Sequence, residues 1–127
     1  MNALAARMNG YQNATRAAGN PREIEYQLFA RITGRLNQAT EPDRPFAELA
    51  AVLDENLRLW REIALDVATP ENGLPDQLRA RLFYLFEFTV HQTQKVLRRE
   101  ADVAPLVDVN LSIMRGLRPN NPGKEAD

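Results

Sequence analysis

His91 is the one side chain in this sequence whose ordinary pKa suits proton transfer near neutral pH. Glu87 precedes it by one helical turn and Lys95 follows it by one, so on a helix the three lie along one face. A general base oriented by a carboxylate has this form. No activated nucleophile stands near it in sequence, so the reading reduces to a solvated surface histidine beside a helix neighbour. With a single histidine and no cysteine, transition-metal and thiolate sites have too few ligands. The carboxylates are scattered, without a Glu-x-x-His pair or a calcium-loop spacing. The glycines are isolated, and none closes a strand-to-helix phosphate turn. The expectation is no catalytic residue, no cofactor and no metal.

Binding chemistry is better represented. Arg81, Gln92, Lys95 and Arg99 form a stripe beside Phe88 that could meet phosphates and stack on a base. The competing reading is a solvated rim whose arginine stems cover apolar surface. Asn56 and Asn110 fall among apolar helical positions, where an amide needs a partner or costs about 1–3 kcal/mol. They are expected to cap loop carbonyls or pair across helices, fixing register, or else to form the polar floor of a groove. Trp60 is expected in the core. Tyr84 and Phe88 lie one turn apart and are either core or an exposed aromatic pair fit for docking another helix. Leu59 and Leu65 leave the main apolar face of their helix. Tyr84, Phe88, Leu59 and Leu65 are therefore the candidate partner-binding residues.

The elements that position these residues are helices. From Leu78 to Leu97, the residues Leu78, Leu82, Leu85, Thr89, Thr93 and Val96 share one face, widened by Phe86, Val90 and Leu97. So wide an arc predicts a central helix with neighbours on several sides. This helix begins at Pro75 and is expected to run to about Glu100. An earlier one starts sharply, with Asn20 as cap, Pro21 at the first position and Glu23 completing a capping box, and reaches about Gln38. Another spans Pro45 to Ala68, with Phe46, Leu49, Leu53, Leu57, Trp60, Ala64 and Val67 on one face. A last one follows Asp102 as cap and carries Leu106, Ile113 and Leu117. Gly34, on the outer side of its helix, weakens it or marks a close approach.

Residues 1–19 form an extension or marginal helix with a thin stripe of Leu4, Met8, Tyr11 and Ala14. Residues 20–118 form the bundle, and residues 119–127 are expected to be a disordered tail. The fold class is all-α: a compact helical bundle of four main helices plus a marginal N-terminal helix. The 127 residues suit one domain with a real core. A net charge of −1 gives no global pull towards nucleic acid or anionic lipid. Without a secretory-type start or a spanning segment, a cytoplasmic location with no membrane partner is expected.

Taken together, the blocks resemble a known family. Pro21 through Leu36 (PREIEYQLFARITGRL) is similar to the first block of FlaF, the flagellar biosynthesis regulator of alphaproteobacteria. Asn56 through Trp60 (NLRLW) resembles the second. The third is matched by Asn72-Gly73-Leu74-Pro75, Leu78 through Leu85 and Glu87-Phe88-Thr89, and is completed by Lys95-Val96-Leu97 and Asn110 through Leu117. The similarity runs from Tyr11 to Leu117, which leaves the first ten or so residues as an extension. None of these blocks is a catalytic motif. The resemblance implies a non-enzymatic protein needed for flagellin production and flagellar assembly, paired functionally with the regulator FlbT. It leaves two mechanisms open. One is a cytoplasmic export chaperone that binds flagellin. The other is a regulator of flagellin translation, acting through FlbT or on messenger RNA. Near-neutral charge and wide apolar faces favour protein over RNA as the partner.

Overall fold

The computed structural model describes residues 21–69 and 73–117, without the side chains of residues 21–25 and 117. Four helices run in order: α1 (Pro21–Ala39), α2 (Phe46–Ala68), α3 (Asp76–Leu97) and α4 (Ala104–Leu117). No strand occurs among the described residues. Prolines mark the starts. Pro21 opens α1, while Pro45 and Pro75 stand at the N-caps of α2 and α3, where a missing N–H costs nothing. The capping box at Asn20 and Glu23, the stripe Leu4 to Ala14 and the tail fall outside the described residues and side chains.

α3 ends earlier than Glu100. Arg99 adopts φ +61°, the left-handed region, and closes the helix. Its N–H donates to the Val96 carbonyl at 2.9 Å, and the Glu100 N–H donates to the Lys95 carbonyl at 2.9 Å. This is a Schellman closure with arginine in the place glycine usually takes. The Arg99 guanidinium lies 4.2 Å from the centroid of the Phe46 ring. The link to α4 is pinned by Gln92, whose Nε2 donates to the Asp102 carbonyl at 3.0 Å. Asp102 is the cap expected from sequence, but α4 begins at Ala104, which puts Val103 in the cap position. The Val103 carbonyl instead accepts from the N–H groups of Leu106 and Val107. The helix starts one residue beyond that cap, because the short link leaves Asp102 outside the first turn.

Two apolar clusters show how the helices run. At one end Leu36 and Ala39, late in α1, meet Val52 and Leu53 of α2, Val96 of α3, and Val103, Leu106 and Val107 at the start of α4. At the other end Phe29 and Ile32 of α1 meet Leu59 and Trp60 of α2 and Met114 of α4. Half-buried Leu82, Leu85 and Phe86, early in α3, pack against this second cluster. Each helix therefore runs opposite to its chain neighbour, as short links require. Burying these side chains is the main favourable term, at about 1.5–3 kcal/mol for each large apolar group.

A polar layer separates the clusters, with a contribution from every helix: Thr33, Asn56, Thr89 with Thr93, and Asn110, all buried. The Trp60 indole N–H donates to Asn110 Oδ1 at 2.9 Å. Asn110 Nδ2 donates in turn to Asn56 Oδ1 at 2.9 Å. The order is forced, because an indole can only donate and must meet the amide oxygen. The two asparagines thus pair across helices, one of the arrangements their apolar setting allowed. Phe29 packs edge-on against Trp60, with ring centroids 6.0 Å apart.

α3 is not the central helix. The most extensive contact joins α2 to α3, followed by α1 to α4 and α1 to α2, while α3 and α4 touch much less. α2 carries the long run of buried residues, from Val52 to Val67. In α3 only Thr89, Thr93 and Val96 are buried, all in its second half. A wide apolar arc was expected to be covered on several sides. Here the 14-residue α4 makes little contact with α3 and does not cover its first half. Gly34 is exposed, and a Cβ there would meet nothing within 4 Å, so it marks no close approach.

Candidate protein-binding surface

The first half of α3 is held firmly while its apolar side chains stay open. Arg79 does the holding. Its Nε–H donates to the Val67 carbonyl at 2.8 Å and its Nη2 to the Thr69 carbonyl at 3.4 Å, satisfying orphan carbonyls at the end of α2. The same guanidinium pairs with Asp76 at 3.3 Å, in the first turn of α3. One side chain therefore ties the start of α3 to the end of α2.

On this fixed start, Leu78 is 42% exposed, Phe83 39% and Tyr84 65%. Leu82, Leu85 and Phe86 are half-buried. Phe83 and Phe86 meet edge to face, with centroids 5.8 Å apart. On α4, Leu111 is exposed, and Val109 and Ile113 are half-buried against the Trp60 cluster. Leu85, Leu78, Leu82, Phe86 and Phe83 form one arc of α3, an open apolar surface at the end of the bundle where α1 begins, α2 ends, α3 begins and α4 ends, while Tyr84 lies on the other side of the helix. Surfaces of this type dock amphipathic helices.

The four residues proposed from sequence divide. Tyr84 is exposed on α3, one turn from half-buried Phe88. Leu65 is exposed on α2. Leu59 is a correction: it is 6% exposed and belongs to the core with Phe29, Ile32, Trp60 and Met114. α2 has α1 on one side and α3 on the other, so a leucine off its main stripe is still covered. Leu78 and Phe83 were missed as surface residues. Leu78 falls in the buried stripe by its helical phase, which cannot report how far the neighbouring helices cover it.

Other sites offer less. An open recess of about 690 Å³ lies between the two short links at the opposite end, lined by acids Glu41, Glu100 and Asp102 and by bases Arg44 and Arg99. His91 is exposed. Among the described residues no group of histidine, aspartate and glutamate could hold a metal ion. No described helix is long and apolar enough to cross a membrane. In the basic stripe, Gln92 is spent on the Asp102 carbonyl and Arg99 on the Phe46 ring.

A family model described as flagellar protein FlaF matches residues 7–117. The chain belongs to the FlaF family. The match starts before Tyr11, so Met8 lies within the FlaF unit and not in an appended extension. It also contains every helix of the bundle, including the open half of α3. No curated protein and no solved structure matches the sequence. Membership makes this a flagellar protein and not a member of a known enzyme family.

Proposed function

We propose that this FlaF protein binds flagellin as an export chaperone, and that the contact is the open first half of α3. One observation carries the reading: Leu78 and Phe83 stand exposed beside half-buried Leu82 and Phe86, on a helix whose start is clamped by Arg79. The resemblance to FlaF supplies the partner, and the surface supplies the mode, an amphipathic helix laid on a preformed apolar face. Covering Leu78 and Phe83, each exposed by roughly two-fifths, would gain about 0.6–1.2 kcal/mol apiece.

The charge distribution supports a protein partner over RNA. Arg35 pairs with Glu55, Arg44 with Glu48, Arg58 with Asp54 and Arg98 with Glu100. Guanidiniums engaged in this way release few counterions on binding a phosphate chain. Titration of purified flagellin at low and high salt tests the proposal. Apolar docking should change little with salt, and Leu78→Ser with Phe83→Ser should weaken it by about tenfold, corresponding to ~1.4 kcal/mol, with helical content unchanged. Steeply salt-dependent RNA binding, with no flagellin binding, would replace this reading with the translational one.

A further inference from the structure

We infer that residues 2–18 of this chain are themselves a ligand of the open α3 surface, so that the free protein covers its own docking face. The surface is incomplete by the standard of the rest of the bundle. No residue of α3 before Thr89 is buried, although Leu78, Leu82, Phe83, Leu85 and Phe86 are all apolar. Something of complementary apolar character belongs there.

The chain outside the described residues narrows the choice. Residues 118–127 (RPNNPGKEAD) leave from the same end of the bundle but carry no large apolar side chain. Residues 1–20 do: Leu4, Met8 and Tyr11 recur at helical spacing, with Ala14 continuing the face. This segment is joined directly to Pro21. Tyr26, a little over one turn into α1, packs against the same cluster as Leu82, Leu85 and Phe86. The tether therefore starts at the rim of the surface it would cover.

Length permits the docking. As a helix, residues 2–18 span about 25 Å, against about 15 Å from Leu78 to Phe88. A tethered segment meets its site at an effective concentration on the order of millimolar, so even weak apolar contacts would be populated. The FlaF match includes residues 7–20, so Met8, Tyr11 and Ala14 are part of the shared unit. Any flagellin helix must then displace this segment, which makes occupancy of the face a competition. That last step rests on the flagellin reading; the self-docking does not.

The chain has no cysteine, so one can be introduced cleanly. Asn13→Cys lies on the side of the segment away from Leu4, Met8 and Tyr11, and can carry a nitroxide in the full-length protein. Signals of Leu78, Leu82, Phe83, Leu85 and Phe86 should lose half or more of their intensity relative to the reduced label. Those of Val103 and Leu106, at the far end, should keep theirs. Adding Leu4→Asp and Met8→Asp should restore the lost intensity. Undiminished α3 signals overturn the inference. So does equal loss when isotope-free labelled chain is mixed with unlabelled isotopic chain, since that outcome assigns the face to a second copy. Flagellin added to the labelled protein should restore the α3 signals as it binds. If flagellin binds while the attenuation persists, the competition is wrong. If flagellin does not bind at all, the functional proposal fails and the self-docking stands on the earlier signals.

Discussion

Replacing Asn110 by leucine should be far more damaging than replacing Asn56, although both are fully buried asparagines of one polar layer. Asn110 is the middle of the chain of bonds: its Oδ1 accepts from Trp60 and its Nδ2 donates to Asn56. Asn110→Leu removes both bonds. It strands the indole N–H and the Asn56 oxygen in a core closed to solvent. At about 1–3 kcal/mol for each stranded group, the loss is about 2–6 kcal/mol. Asn56→Leu strands only Asn110 Nδ2. It also removes Asn56 Nδ2, a buried donor with no protein partner among the described residues, so part of its ~1–3 kcal/mol cost is returned. In the double variant only the indole N–H remains stranded, so two stranded groups drop out of the sum and the two changes should fall short of additivity by about 2–6 kcal/mol. Urea unfolding followed by far-UV circular dichroism and by fluorescence of the single tryptophan measures all three. Coincident transitions license the comparison. The loss for Asn110→Leu is a large fraction of a typical total of about 5–15 kcal/mol. Equal losses for the two single variants, or a stable Asn110→Leu, would refute the argument that this chain of bonds holds the layer.

Two further outcomes follow from local geometry. Gly34→Ala, at an exposed helical position with nothing within 4 Å of the new Cβ, should raise stability by up to ~1 kcal/mol, read as a melting-temperature rise of roughly 4 °C. At Arg99, alanine keeps the left-handed backbone but loses the Phe46 ring contact, whereas glycine loses the contact and gains an unstrained φ. Arg99→Gly should therefore be more stable than Arg99→Ala by about 1 kcal/mol, with the ring contact itself accounting for ~0.5–1 kcal/mol relative to wild type. Thermal melts of the two variants check the order.

Local chemistry in the sequence determined where helices begin, how they run and which family they compose. Proline fixes its own φ and lacks an N–H, so Pro21, Pro45 and Pro75 mark helix starts whatever surrounds them. Helical phase put Trp60, Asn56 and Asn110 inside, because phase is a property of a single helix. The sequence could not supply the bond from Trp60 to Asn110, fifty residues apart, since pairing depends on which helices meet. The end of α3 was misjudged for a similar reason: Arg99 does not announce a left-handed turn as glycine would, and its stacking on Phe46 is a tertiary contact. The same limit separates Leu59 from Leu78. Leu59 sits off its stripe yet is buried between neighbours, and Leu78 sits on its stripe yet is exposed. Apolar periodicity states which face seeks cover. Only the packing of four helices of unequal length decides which part of that face receives it, and in α3 it leaves the first half open.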